Sequence, residues 1–374
     1  MQTNQFTFIQ QPAERDTVFI FGAGTSQPDG VPLQNELLPL IVNPQNKYIY
    51  NSSIGKKVIK FISENFHFNV EKKQYPKLEG VFGFLDYFIQ QNESLNAEYT
   101  HSSLIEIREY LIKLIHYVVD EKTNEDSIFY HRFWEVIRLF NNNITIITLN
   151  YDTLLEQAFD IMFKKVGYID YCIHLMNYEK RDDLKQFRYW VNPKEPVPVF
   201  ENNANPTAFK IIKLHGSLNW KYCNCCNQTL LTPWDRKIDL NLDKFIGYTY
   251  PDMKEYEYVC PLDKTEFSTL IMPPSYVKSL NQQVISQLLS EASRELRATK
   301  KLVFCGYSMS DADIHIKALL KKNLSPDVEI IVINPFNSNG LRLKYKALSK
   351  SVKFINRSFE DLAFDENMMS EILN

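Results

Sequence analysis

Five segments of this sequence bring together residue types that hold or transform a small polar ligand. They are Gly22-Ala23-Gly24-Thr25-Ser26, Asn150-Tyr151-Asp152, His215-Gly216-Ser217, Gly306-Tyr307-Ser308 with Asp311 and Asp313 close behind, and Asn334-Pro335. The first is a short form of the glycine turn whose backbone cradles phosphate; it lacks the later third glycine, and a plain tight turn has the same composition. The second ends an apolar run on an amide and a carboxylate. Asp152, followed by Thr153, Leu154, Leu155 and Glu156, suits a helix N-terminus, but capping needs one side chain and leaves Asn150 unaccounted for. His215 is titratable near neutrality, although a lone histidine is more often structural than catalytic. GYSMSDAD at 306–313 reads equally as a turn followed by a helix cap. What sets the five apart is that each directly follows an apolar, strand-like run.

Those runs are TVFIF (17–21), ITIITL (144–149), FKIIKL (209–214), KLVFCG (301–306) and VEIIVIN (328–334), with VKFI (352–355) as a sixth. They are mostly apolar or β-branched in continuous stretches rather than alternating, as expected of strands covered on both faces. Helical candidates lie at 153–165, 279–298 and 311–323, which predicts an α/β, Rossmann-like, doubly wound parallel sheet. In such sheets ligands bind beyond the carboxyl ends of the strands, where the five segments fall. VPLQNELLPLI (31–41) predicts a helix with Pro32 near its first turn. From about 55 to 141 the periodicity is helical; Leu104, Ile107, Leu111, Leu114 and Val118 recur at spacings of three and four and define a core face. Residues 166–208 and 219–275 carry many Asn, Pro, Tyr and charged residues and read as insertions rising from the sheet edge. The expected organisation is a single domain over 1–374. Its core is 15–45, 142–218 and 276–374, with a helical insertion at 46–141 and a smaller cysteine-containing insertion at 219–275.

The bulk composition narrows the function class. The chain has 374 residues, 44% hydrophobic and 23% charged, as in globular proteins, and its formal charge of −3 provides no overall field for nucleic acid or anionic lipid. No apolar run reaches the ~20 residues that span a bilayer, and MQTNQFTFIQQPAERD has no signal-like apolar region. Six cysteines, three of them in CNCC at 223–226, suit a thiol-bearing chain, and a cytoplasmic location is expected. Only 11 residues are glycine, well below the usual ~7%, yet five of them, Gly22, Gly24, Gly30, Gly216 and Gly306, sit at or near strand ends.

The order and wording of these segments resemble the sirtuin family, especially its divergent bacterial branch of sirtuin-like NAD hydrolases of antiphage defence. GAGTSQPDGVP is similar to the family's opening phosphate loop, TLNYD to its catalytic Asn-Asp segment, and KLHGS to its His-Gly segment. CGYSMSD looks like its Gly-Thr-Ser loop and VINP like its ribose-contacting strand end. The resemblance implies NAD+ as substrate, with Asn150, His215 and Asp152 catalytic: Asn150 orienting water or the nicotinamide ribose, Asp152 helping to hold that ribose and the loop, His215 acting as general base. It implies binding by Gly22, Ala23, Gly24, Thr25 and Ser26 around the pyrophosphate, by Gly306 and Tyr307, and by Ser308 and Asn334 on the adenosine half. Two departures argue against a peptide acceptor and for water. Where the deacylases have Pro-Asp-Phe-Arg, this chain has Val31-Pro32-Leu33-Gln34-Asn35, and where they pair with peptide it has STLIMPPSYVKS, whose Pro273 and Pro274 cannot donate to a ladder.

The expected activity is therefore NAD+ hydrolysis to ADP-ribose and nicotinamide, gated because NAD+ depletion is toxic. A NAD-dependent protein deacylase and a non-catalytic NAD or ADP-ribose sensor are the alternatives. By resemblance, gating comes from homo-oligomerisation or from a partner such as a HerA-type ATPase or an Argonaute-like protein. The aromatic helical block around 78–140, with FGFLDYF and FYHRFWEV, is the candidate contact surface, against ordinary core packing. Deacylases of the family also carry zinc on two Cys-x-x-Cys pairs. Here Cys223 and Cys226 form one pair, whereas the second reads Cys260 to Asp263. A zinc site completed by Asp263 or Cys225 and a metal-free hairpin both fit that pattern, so no metal ligand is assigned.

Overall fold

The computed structural model describes residues 7–8, 15–122, 126–141, 143–159, 167–175, 190–191, 198–199, 207–231, 237–242, 244–246, 248–249, 254–255, 260, 262–277, 280 and 282–374. Its centre is an eight-stranded parallel sheet built from β1 (Thr17–Phe21), β2 (Ile144–Thr148), β3 (Gly167–Asp170), β4 (Trp190–Val191) and β5 (Thr207–Lys213), with three further strands C-terminal to these. A small antiparallel sheet consists of β6 (Gly216–Tyr222), β7 (Thr229–Leu231) and β8 (Ser268–Ile271), in the order β8-β6-β7. The large sheet is completed by β9 (Lys301–Cys305), β10 (Glu329–Ile333) and β11 (Ser351–Ile355), and its order is β11-β10-β9-β1-β2-β5-β3-β4. On one side of β1 the sheet continues with β2, β5, β3 and β4, the chain passing from β2 out to β3 and β4 and then returning to insert β5 between β2 and β3. It then restarts on the other side of β1 with β9, β10 and β11. The fold is thus α/β and doubly wound, and the switch in strand order lies between β1 and β9, the position at which such sheets open a crevice.

Residue types account for this placement. Every residue of β1 and β2 is buried, as a central strand covered on both faces requires, whereas β11 at the edge has exposed and half-buried positions. Helix α6 (Ile128–Phe140) packs across one face of β1 through Phe133, whose ring lies 5.6 Å from Phe19 and 5.3 Å from Phe21 in edge geometries. Burial of each such side chain contributes roughly 1.5–3 kcal/mol. The helices before it, α1 (Gln34–Ile41), α2 (Lys47–Asn51), α3 (Ser53–Asn65), α4 (Leu78–Gln91) and α5 (His101–Lys122), form the helical block. In α5 the five predicted core residues are buried, and so are Tyr110, Ile112, Ile115, His116 and Val119, because α5 is enclosed by its neighbours. Pro32 precedes the cap residue Leu33 instead of entering the first turn of α1.

The two lysines of β5 fix helices on both faces. Lys210 and Lys213 are three residues apart, so they point to opposite sides of the sheet. Lys213 reaches Glu156 at 2.7 Å, in a helix that begins at 154, and Lys210 reaches Glu295 at 2.6 Å, in α7 (Gln283–Ala298). All four charged groups are buried. Removing one member of such a pair strands the other without solvent, which makes the pairing strongly directive even where its net contribution is small.

Two segments read as irregular contain strands. Residues 167–170 and 190–191 extend the parallel sheet beyond β5, and β6 runs unbroken from 216 to 222. The strands at 167–170 and 190–191 are too short for periodicity to register, and their partners are distant in sequence. The remaining helices are α8 (Ile314–Asn323), α9 (Asn339–Lys346), α10 (Phe359–Phe364) and α11 (Glu366–Leu373). Among the described residues no helix is long and apolar enough to cross a membrane.

The loop after β1 is anchored to the helical block where Ser127, the cap of α6, donates to the Asp29 carboxylate at 2.7 Å. Burial raises the Asp29 carboxyl to about 6, against the pull of the Ser127 hydroxyl, with the Asp152 and Glu360 charges adding to the rise. The folded chain therefore holds this proton more tightly than the unfolded chain. The resulting stabilisation is full below the ordinary carboxylate range and is lost as pH rises through about 6. Asp29→Asn keeps a neutral acceptor for Ser127 and removes the titration. Its melting temperature is expected to gain on the wild type as pH increases from about 4 to about 6 and to hold that gain above it, as thermal denaturation across this pH series would read.

Candidate active site

The carboxyl ends of β1, β2, β5, β9 and β10 open into one cleft of about 1170 Å³. Gly22, Ala23, Gly24, Asn150, Asp152, His215, Gly306, Tyr307, Ser308 and Asn334 line it, so ten of the predicted site residues come together. Thr25 and Ser26 do not reach it; both are fully buried behind its wall.

The cleft begins with a contact that excludes side chains. A Cβ on Gly22 would stand 2.7 Å from the Gly306 carbonyl oxygen, and one on Gly24 would stand 2.8 Å from Gly306 Cα. Gly306 has φ +59, and its own Cβ would lie 2.6 Å from backbone atoms of Gly24 and Thr25. The turns after β1 and β9 therefore meet backbone to backbone, joined by the Gly24 N–H donating to the Gly306 carbonyl at 3.0 Å. The N–H groups of Gly22, Gly24, Thr25 and Ser26 are all spent on protein carbonyls. Ala23, which lines the cleft, supplies the remaining donor of that turn. The turn accordingly presents less donor capacity than a full phosphate cradle, and its shape matters more than its hydrogen bonds.

Asn150 is held from behind. Its Nδ2 donates to Thr25 Oγ1 at 3.0 Å and to Ser26 Oγ at 3.1 Å. Thr25 Oγ1 in turn donates to the Gly22 carbonyl, so toward Asn150 it can only accept, which orients the amide and leaves Oδ1 for the cleft. Tyr130, fully enclosed on α6, donates to Thr25 Oγ1 at 2.9 Å and lies 2.8 Å from Ser26 Oγ. Thr25 and Ser26 thus aim the amide, and Tyr130 aims them. Nothing in FYHRFWEV distinguishes Tyr130 from its aromatic neighbours in sequence. Tyr130, Phe133 and Trp134 of that segment, with Phe82 and Leu85 of FGFLDYF, belong to the core.

Asp152 accepts from the Leu154 N–H at 3.2 Å, so it does cap the helix that begins at 154. It also lines the cleft. Burial raises its carboxyl above the usual range, opposed by the Lys213 ammonium and the Ser26 hydroxyl. His215 stands where β5 leaves the large sheet for β6. Gly216, at φ +78, makes that corner, and a Cβ there would lie 1.8 Å from the Leu270 carbonyl oxygen. The Met272 N–H donates to the His215 carbonyl at 2.9 Å, so the tail of β8 clamps the histidine backbone. Its Nε2 lies 3.1 Å from His315 Nε2 and 3.6 Å from Asp313 Oδ1. His315 escapes a sequence reading because it sits inside a helix, four residues past Asp311, with no motif around it. Tyr307 donates to Asp313 Oδ2 at 3.2 Å, and Asn334 Oδ1 accepts from the Phe336 N–H at 3.1 Å at the mouth of the cleft.

Away from the cleft, Cys223, Cys226, Cys260 and Asp263 bring one ligand atom each to within 4.8 Å of one another. Cys223 Sγ lies 3.3 Å from Asp263 Oδ2, and Cys226 Sγ 3.7 Å from Cys260 Sγ. The two halves repeat the same turn: Asn227 donates to the Cys223 carbonyl and Lys264 to the Cys260 carbonyl, with φ of 58 and 65. Three thiols and a carboxylate at these separations suit tetrahedral zinc. Asp263 belongs to this converging group, whereas Cys225 is exposed and is not one of its four ligand residues.

A family model described as a SIR2-like domain matches residues 144–338. No curated protein matches the chain at a significant level. Among solved structures, a Sir2 homologue carrying a histidine-to-asparagine mutation, in complex with ADP-ribose, is 14% identical with a TM-score of 0.42, covering 96% of this chain and 91% of that chain. A serine-to-alanine mutant of a Sir2 homologue, also with ADP-ribose, is 13% identical with a TM-score of 0.42 over 96% and 91% of the two chains. A third, described as the structural basis for the mechanism and regulation of Sir2 enzymes, is 12% identical with a TM-score of 0.37 over 96% and 93%.

The glycine contact yields a stability prediction. Gly306→Ala adds a Cβ at positive φ against backbone that has no room to yield, and is expected to destabilise the chain by about 2–4 kcal/mol. Gly340→Ala, in α9 with nothing within 4 Å of its Cβ, serves as control and is expected to be neutral or slightly stabilising. Urea denaturation of both variants checks the difference.

Proposed function

This chain belongs to the SIR2-like domain family, and from that premise we propose that it hydrolyses NAD+ at the nicotinamide N-glycosidic bond, releasing nicotinamide and ADP-ribose. The observation that carries the reading is the convergence of the Asn150 amide and the His215 imidazole on one cleft, beyond the glycine contact at the switch in strand order. As the C–N bond to nicotinamide breaks, positive charge develops on the ribose ring. Asn150 Oδ1, a fixed dipole whose amide hydrogens are already committed, stabilises that charge or holds the attacking water without reorganising. The water oxygen bonds to the anomeric carbon and its proton passes to His215. Asp152, close to Ser26 and Lys213, keeps the amide's support in place and adds negative potential behind the ribose.

Water is the acceptor in this reading. Pro273 and Pro274, one residue beyond the end of β8, carry no N–H, so they cannot donate to an added peptide strand there. The motif resemblance to the defence branch supports a gated effector role, with assembly or a partner protein as the gate. In the same reading the Cys223, Cys226, Cys260 and Asp263 group holds one structural zinc, which ties the β6–β7 turn to the segment leading into β8.

Two outcomes are expected. Asn150→Ala and His215→Ala each lower nicotinamide release from NAD+ by at least ~10²-fold while keeping the wild-type circular dichroism. Release in the wild type does not depend on an acetylated peptide; peptide-dependent release would identify a deacylase instead, and NAD+ binding by the activated assembly without turnover would identify a sensor. Separately, elemental analysis of purified protein is expected to find about one zinc per chain, with Cys260→Ser losing most of it and melting at a lower temperature. Zinc-free wild-type protein with an unchanged melting temperature would refute the metal assignment.

A further inference from the structure

His215 and Asp313 of the cleft wall and His315 beside them bring their ligating atoms close together. His215 Nε2, at the corner after β5, lies 3.1 Å from His315 Nε2 in the first turn of α8 and 3.6 Å from Asp313 Oδ1, the cap residue of the same helix. All of these atoms fall within 4.8 Å of one another. The imidazole rings are 5.2 Å apart and tilted by 32°. Two facing Nε2 atoms share at most one proton in comfort, because one must accept what the other donates. A carboxylate oxygen at the same spot adds a third lone-pair donor. Bond lengths of ~2.0–2.1 Å to nitrogen and oxygen imply ligand separations of roughly 3.3–3.4 Å around a tetrahedral ion, and the two observed separations bracket that value.

The surroundings match a cation site as well. Asp313 Oδ2, the other oxygen of that carboxylate, accepts from Tyr307 OH at 3.2 Å, the kind of outer partner that holds a ligating carboxylate in place. His215, Tyr307 and Asp313 all line the cleft, so a fourth position is open to water or ligand. The donor set has no thiolate and a single carboxylate, which disfavours copper(I), magnesium and calcium and favours a divalent ion of intermediate softness such as zinc, cobalt or nickel.

We propose that His215, Asp313 and His315 form a divalent transition-metal site inside the cleft, distinct from the cysteine group, and that occupancy of this site switches off hydrolysis. The metal takes the Nε2 lone pair of His215, and an imidazole that has donated its lone pair cannot accept a proton from water. Binding of the ion stands on geometry alone; the switch rests on the hydrolase reading above, and the two are measured separately.

The full chain, stripped of metal and then titrated with Co2+, reads the first part. Wild-type protein is expected to take up one more Co2+ per chain than His315→Ala or the bulkier His315→Gln. The difference spectrum is expected to show visible cobalt bands without the thiolate-to-cobalt charge transfer that marks the cysteine group. Equal uptake by the wild type and by a folded His315 variant overturns the site, whatever the activity. For the second part, Zn2+ added to protein whose cysteine group is already filled is expected to abolish most nicotinamide release in the wild type, and EDTA to restore it. Extra Co2+ uptake together with release that Zn2+ leaves unchanged overturns the switch and keeps the site. Extra uptake with no release under any condition, partner included, overturns the hydrolase reading and the switch with it, and leaves the metal site standing.

Discussion

The rest of the site depends on a place where two strand ends touch without side chains. At the switch between β1 and β9 the turns carrying Gly22, Gly24 and Gly306 approach so closely that any Cβ would overlap backbone. That approach aligns the ends of adjacent parallel strands, which diverge beyond this point into the cleft. In a chain with only 11 glycines, placing three of them here shows how little freedom the junction has. The close fit also explains why the turn spends four of its five N–H groups internally: a backbone packed this tightly must satisfy its own donors.

The helical block belongs to the site as much as to the core. It reaches the cleft through Tyr130, whose hydroxyl meets Thr25 and Ser26, which in turn fix the amide of Asn150. The same block meets the loop after β1 through Ser127 and Asp29. An amide placed by three buried hydroxyls needs no rearrangement when a ligand arrives, and this is the property that electrostatic stabilisation requires. The ring of Phe133, packed on Phe19 and Phe21, keeps α6 and hence Tyr130 at the correct height on the sheet.

Buried charge is distributed with similar economy. Lys210 and Lys213 leave β5 on opposite faces and each meets a glutamate from a flanking helix, so one strand fastens both layers. Lys213 also donates to the Asp152 carbonyl at 2.6 Å, which links this ion pair to the floor of the cleft. Cys223, Cys226, Cys260 and Asp263 converge between two loops of the small sheet.

Much of this was legible in the residues themselves. Six short runs dominated by apolar and β-branched residues imply a mainly parallel sheet covered by helices, and that pattern is local, so the sheet class and the strand ends follow from it. The identity of the groups at those ends, from Gly22 to Asn334, follows as well. The roles of individual side chains did not. Thr25 and Ser26 were expected around a ligand and lie instead behind the wall, because a turn's sequence does not say which way its hydroxyls rotate once a helix some hundred residues away packs against them. Tyr130 and His315 carry no motif and gain meaning only from what stands opposite. Asp263 and Cys225 were equal candidates in sequence, and of the two Asp263 belongs to the converging group. Short strands such as 167–170 stayed hidden since their pairing is with residues far along the chain. Local periodicity determined the elements; contacts between elements, which depend on burial and direction in space, determined which of their residues meet.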